Sequence, residues 1–238
     1  MVLTDSVYKT VLNILNKENR GYVTPAEFNT LAKQAQNEIF EGYFSSRNYA
    51  ITNSSDYSDI RKNIEEKIAL FENEETIDSA TFTNPAGNTT ANYYAYPSNF
   101  YRLSSVFHIL NSVNIPIQET TNKLLNVLNR SPLAKPTTTS PVYVLHEGGL
   151  VVNPTSGISS IRINYIRKPN DPNWVGGTAA GQIVANTSDN NYKNFELHPS
   201  EFHELVIKIL SYAGVIIRAA DITQVASAKE QQIIQSER

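Results

Sequence analysis

The chain has 238 residues, 40% of them hydrophobic and 18% charged, with a formal net charge of −3; at this length about 70% of the unfolded surface is buried on folding, so a core needs no staples. That charge balance gives no basic footprint for neutralising phosphates, which argues against nucleic-acid binding by counterion release. The chain has no cysteine, which excludes disulfide frameworks, thiol catalysis and cysteine-ligated zinc.

Val7, Val11, Leu12, Ile14 and Leu15 share one helical face in an N-terminal segment, MVLTDSVYKTVLNIL, whose only base is Lys9. This predicts a first helix and is not the pattern of a secretory leader, so a soluble, unexported chain is expected. A polar stop runs from Asn16 to Gly21. Thr24-Pro25-Ala26-Glu27 then opens a second helix, with threonine as N-cap, proline at the first helical position and glutamate closing a capping box. Its apolar spacing runs to about Phe44, SSRNYAITNSSD reads as a loop, and a third helix carries Ile60, Ile64, Ile68 and Phe71.

From Glu75 the period changes to two, predicting strands at Ile77–Phe82, Asn92–Tyr96 and Leu103–Ile109, with a hairpin followed by a third strand as the simplest topology. Asn111–Ile117 adds a strand broken by Pro116, and Thr121–Asn129 reads as a short helix before the linker SPLAKPTTTSP. Pro141–Leu145, Leu150–Asn153 and Ile161–Arg167 are strand-like, the first two joined by a turn at His146 to Gly149. The stretch 169–193 has no sustained apolar period and is expected to be mobile or shaped by a neighbour. Pro199 opens the strongest helix, whose stripe includes Leu205, Ile209, Ala213 and Ile216. Past Asp221 the stripe thins to Ile222, Val225, Ile233 and Ile234, which marks these four residues as an expected partner interface.

The expected fold class is α+β, with N- and C-terminal helices forming a bundle and a mainly antiparallel β module inserted between them. The expected divisions are a helical part over 1–74, the β module over 75–168, an irregular extended loop over 169–198, and a helix and tail over 199–238 that pack with 1–74.

Candidate chemistry is sparse. Asn16 to Glu27 has Gly21 sixth and Glu27 twelfth, as in a calcium loop, but Arg20 stands where the fifth ligand belongs and Pro25 replaces a loop residue. A helix–turn–helix, with Thr24 and Glu27 as structural caps, is the better reading. His108, His146, His198 and His203 show no metal-ligand spacing, and no nucleophile elbow, phosphate loop or glycine fingerprint is present. No catalytic residue, metal or cofactor is therefore expected. The cluster Tyr93, Tyr94 and Tyr96 reads as packing or interface, because no basic residues accompany it as in a base-stacking platform.

The stretch Tyr93 to Val106, YYAYPSNFYRLSSV, alternates aromatics, breaks at Pro97 and resumes as an extended run with Arg102 just after the break. Set between N-terminal helices and a long final helix, it resembles the corresponding region of bacteriophage head-to-tail adaptor and tail tubular ring proteins, in particular those of crAss-like phages. The resemblance implies a virion structural protein without active-site residues. It would form a homo-oligomeric ring, a dodecamer in the family, that joins the portal protein to neighbouring tail proteins and lets DNA pass through its lumen. It also implies assembly in the host cytoplasm, residence at the portal–tail junction and no membrane. The alternatives are a carbohydrate- or surface-binding β module with helical attachment, and a hydrolase.

Overall fold

In the computed structural model the chain divides into two units, one made of residues 1–70 and 169–238 and the other of residues 71–168. The structure describes residues 1–17, 23–52, 58–83, 89–110, 113–179 and 182–217. It is a mixed α+β fold with antiparallel sheets. Among the described residues no helix is long and apolar enough to cross a membrane.

The first unit contains α1 (Thr4–Lys17), α2 (Pro25–Thr52) and α3 (Ser58–Ala69). α2 continues past Phe44 through the segment expected to be a loop. Neither proline nor glycine stands between Ser45 and Thr52, so polarity alone does not end the helix. After the second unit the chain returns here to end, among the described residues, in a 3₁₀ turn at Pro199–Glu201 and a helix at Phe202–Ile217. That last helix packs against α1 and α2, and α2 also packs against α3. Val7, Val11, Phe28, Ala32, Leu205 and Ile209 are fully buried in this unit, as three- and four-residue spacing requires of helix faces turned to a core.

The segment after Lys168 corrects the expectation of an irregular loop. It holds a two-stranded antiparallel ribbon, Gly176–Ala179 with Gln182–Ala185, and polar side chains of the helices strap its remainder down. The buried Gln36 donates from Nε2 to the Asn170 carbonyl at 2.7 Å and accepts from the Glu196 amide at 3.1 Å. Asn29 accepts from the Trp174 amide at 2.8 Å, and the Trp174 indole donates to Asp5 at 3.1 Å. The Trp174 ring lies 4.3 Å from that of Tyr8, and Phe195 and Leu197 are fully buried. Three isolated apolar residues and a set of amide-bearing partners order this segment, and neither shows as a periodic pattern.

The second unit is built from two sheets that share a core. β1 (Glu72–Asp78), β4 (Phe100–Leu110), β5 (Val113–Pro116) and β9 (Ser160–Arg167) form a four-stranded sheet in the order β1-β9-β4-β5. β2 (Ala80–Thr83), β3 (Thr89–Ala95), β6 (Gln118–Glu119), β7 (Val142–His146) and β8 (Gly149–Asn153) form a five-stranded sheet in the order β2-β3-β8-β7-β6. Val106, Ile161, Ile163 and Tyr165 from the first sheet meet Tyr94, Tyr143, Leu150 and Val152 from the second. This alternation of inward residues is what two packed sheets require.

β1 starts earlier than expected because ENEETID is a polar edge strand, held mainly by its ladder to β9, with Ile77 its one apolar contact to the core. The expected third strand of a β2–β3 meander is also corrected: β4 pairs with β9 and β5 in the other sheet. Pro97 cannot donate to a ladder, and the turn Pro97–Asn99, closed by the Phe100 amide on the Pro97 carbonyl at 3.0 Å, carries the chain across. Among the described residues the strand pairs are antiparallel except β6 with β7. Parallel neighbours need a crossover, which is supplied by α4 (Asn122–Leu128) and the segment after it.

Candidate functional site

Exposed apolar residues of the β module occur on the β4–β5 hairpin and in the crossover from β6 to β7. Thr121 caps α4, its hydroxyl accepting from the Leu124 amide at 3.3 Å. Isolated helices this short are unstable in water, yet no residue of α4 is buried. Leu124 is 50% exposed, Val127 60% and Leu133 99%, and Val113 on the neighbouring hairpin is 61% exposed. These apolar side chains stand open to solvent within a short stretch of chain. Between Glu119 and Glu147 the chain has three bases, Lys123, Arg130 and Lys135, and no carboxylate. All three are exposed.

The edge formed by β1 and β2 has the opposite character. Asn73 donates to the buried Tyr165 hydroxyl at 2.9 Å, and that hydroxyl lies 3.0 Å from a Glu75 carboxylate oxygen. Ile77 packs against the core. The inward row is thus 73, 75 and 77, and strand alternation turns Glu72, Glu74, Thr76 and Asp78 to the other face. Arg162 of β9 pairs with Glu74 at 3.1 Å. Glu72 and Asp78 have no ion-pair partner among the described residues, and both are exposed.

The aromatic motif is a structural joint. Tyr94 is fully buried and donates to the Ile158 carbonyl at 3.0 Å, while Tyr93 donates to the Glu147 carbonyl at 2.8 Å. Gly149 is required beside them: a Cβ there would meet the Tyr94 carbonyl oxygen at 2.3 Å. Across the Pro97 turn, Tyr96 and Phe100 stack with centroids 3.8 Å apart and an interplanar angle of 2°. Arg102 is exposed on β4 opposite Ile166. Burial first, then the Glu119 charge, pushes the Tyr96 and Tyr143 hydroxyls up to about 12, and Tyr143 also donates to Glu119 at 3.2 Å.

Thr24 and Glu27 stand as expected. The Thr24 amide donates to Glu27 Oε2 at 2.8 Å, and the Glu27 amide donates to Thr24 Oγ1 at 3.3 Å. The backbone bond from Thr24, reinforced by its hydroxyl, holds the Glu27 carboxyl below its usual range. Residues 18–22 of the Asn16–Glu27 turn lie outside the described residues, as do Ile222, Val225, Ile233 and Ile234. The four histidines serve separate elements. His108 is buried on β4 with neither ring nitrogen partnered, the His146 ring meets Phe82 at 5.0 Å, His198 accepts from the Ser200 amide at 3.2 Å, and His203 packs on Phe202. Among the described residues no group of three His, Asp or Glu side chains is placed to hold a metal ion.

The sequence shows the short helix and its Leu124 but does not single out the exposed Val127, because periodicity does not show which side of such a helix is left uncovered. No protein-family model matches the chain, and comparison with curated proteins gives no match.

Proposed function

We propose that this chain is a virion structural protein, a subunit of a head-to-tail connector ring that joins a phage portal to its tail and lines part of the DNA channel. The observation that carries the reading is the order of elements. Helices at both ends of the described chain belong to one unit, and a β module is inserted into it as one continuous segment, 71–168, containing the strand–proline–strand joint of the resemblance. A low net negative charge suits a lumen through which DNA must slide without sticking. The tail residues Ile222, Val225, Ile233 and Ile234 are proposed as the element that docks on the portal or on a neighbour.

Negative-stain imaging of the full chain, alone and mixed with the portal protein of the same virion, tests this. Closed rings stacked on the portal, weakened by deletion of the residues after Ala220, are the expected result. A chain that forms no ring in either sample contradicts it.

A further inference from the structure

The two contrasting edges of the β module lie at opposite ends of its sheets. β1 and β2 follow one another through Ser79 and are the first strands of their respective sheets, while β5 and β6 follow one another through Ile117 and are the last. An acidic outward row therefore ends the module on one side, and an apolar, basic crossover ends it on the other. We propose that these edges bind each other between copies: the α4 crossover of one subunit docks on the β1 edge of the next, head to tail. The proposal rests on the ring reading above and names the subunit contact that would build the ring.

Charge complementarity selects a second copy of this chain as the occupant. Lys123 and Arg130 flank the exposed Leu124 and Val127, Lys135 stands two residues beyond Leu133, and none of the three bases has a carboxylate partner among the described residues. Glu72 and Asp78, at the ends of β1, supply such partners, with Glu74 already shared with Arg162. Glu119, the one acid of the crossover edge, is bonded to Tyr143. Like-with-like pairing would bring bases against bases or acids against acids, so a two-fold dimer through either edge is disfavoured. A contact between two different edges is heterologous, and repeating it closes a ring or extends a filament.

The test uses two charge-reversed full-length variants, K123E/R130E and E72K/D78K, and compares self-association with the unaltered chain by sedimentation velocity over a range of concentrations. All four sites are exposed, so melting temperatures should match and serve as the folding control. Each variant alone has two edges of the same sign and is expected to associate at least about tenfold more weakly. An equimolar mixture restores both contacts, so oligomers return with the variants in equal amounts, and a chain carrying all four changes associates again. Rising salt weakens the unaltered assembly. If both variants associate like the unaltered chain, the proposed contact is wrong while the ring reading stands on its own imaging. If the unaltered chain stays a strict monomer at every concentration, the contact is also overturned, and the ring reading is then decided by the mixture with portal.

Discussion

The two units solve the problem of holding polar chain in different ways. In the helical unit, segment 169–198 is fixed by buried and half-buried polar side chains: Gln36 spans the Asn170 carbonyl and the Glu196 amide, Asn29 accepts from the Trp174 amide and Asp5 from its indole, and Thr4 donates to the Lys193 carbonyl at 2.8 Å. A charged pair adds to this, with Lys67 contacting the buried Glu201 at 2.5 Å. In the β module the polar strand β1 is held by ladder bonds to β9, and Glu72 and Asp78 at its ends stay in water. Buried polar contacts are costly to break, because the partner left behind is unsatisfied, whereas exposed charges are nearly free to change. The difference teaches that a polar segment is tied down by side chains in the helical unit, whereas a polar strand in the β module is fixed by its backbone ladder.

Removing the anchor of the strapped segment should have the largest effect. Trp174→Ala takes away a ring that is 3% exposed and packed against Tyr8, and a loss of about 3–5 kcal/mol is expected in chemical denaturation. A loss similar to that of an exposed β-module residue would show that the segment is not anchored there.

Gln36→Ala comes next. It removes the side-chain bonds to the Asn170 carbonyl and the Glu196 amide and should cost about 2 kcal/mol. Hydrogen exchange should rise at Glu196 before it rises in β8. Equal protection in the variant and the parent would break the comparison between the units.

Thr24→Ala removes one arm of the capping box and should cost about 1 kcal/mol. The Glu27 carboxyl is held below its usual range by Thr24, so its contribution is present above the unfolded value and lost as pH falls through the folded one. The melting-temperature gap between parent and Glu27→Gln should accordingly narrow in acid. A gap that widens in acid contradicts this sign.

The smallest effect is in the β module. Tyr96 and Tyr143 have hydroxyls pushed up to about 12, above the unfolded value near 10. Their contribution is full below that unfolded value and lost as pH rises through the folded one. Ultraviolet titration should place Tyr96 and Tyr143 among the late-ionising tyrosines, with Tyr93, Tyr94, Tyr165 and Tyr192 also raised, and Glu119→Gln should bring Tyr143 partly back while burial keeps it raised. Two tyrosines that titrate normally would show that this part of the sheet is wet.

Much of this architecture was legible in the residues. The stripes of α1 and α2, the Thr24–Glu27 box, the Pro97 joint and the hairpin at Gly148 and Gly149 each rest on local rules that the sequence displays directly. What escaped had no local signal. β1 has no apolar alternation because its inward row begins with Asn73 and Glu75, which bond the Tyr165 hydroxyl, and the 169–198 segment is ordered by bonds from residues over a hundred positions away, such as Gln36 to Asn170. The choice of sheet for β4 depends on β9, far along the chain. Of the candidate surface, α4 and its leucines were readable, but their exposure depends on what the sheets leave uncovered.

Native mass spectrometry of the full chain with its portal tests the connector assignment most directly. A single closed cyclic oligomer bound to the portal, with the copy number of a ring, is the predicted result. A strict monomer in every mixture, or a closed dimer, would contradict it.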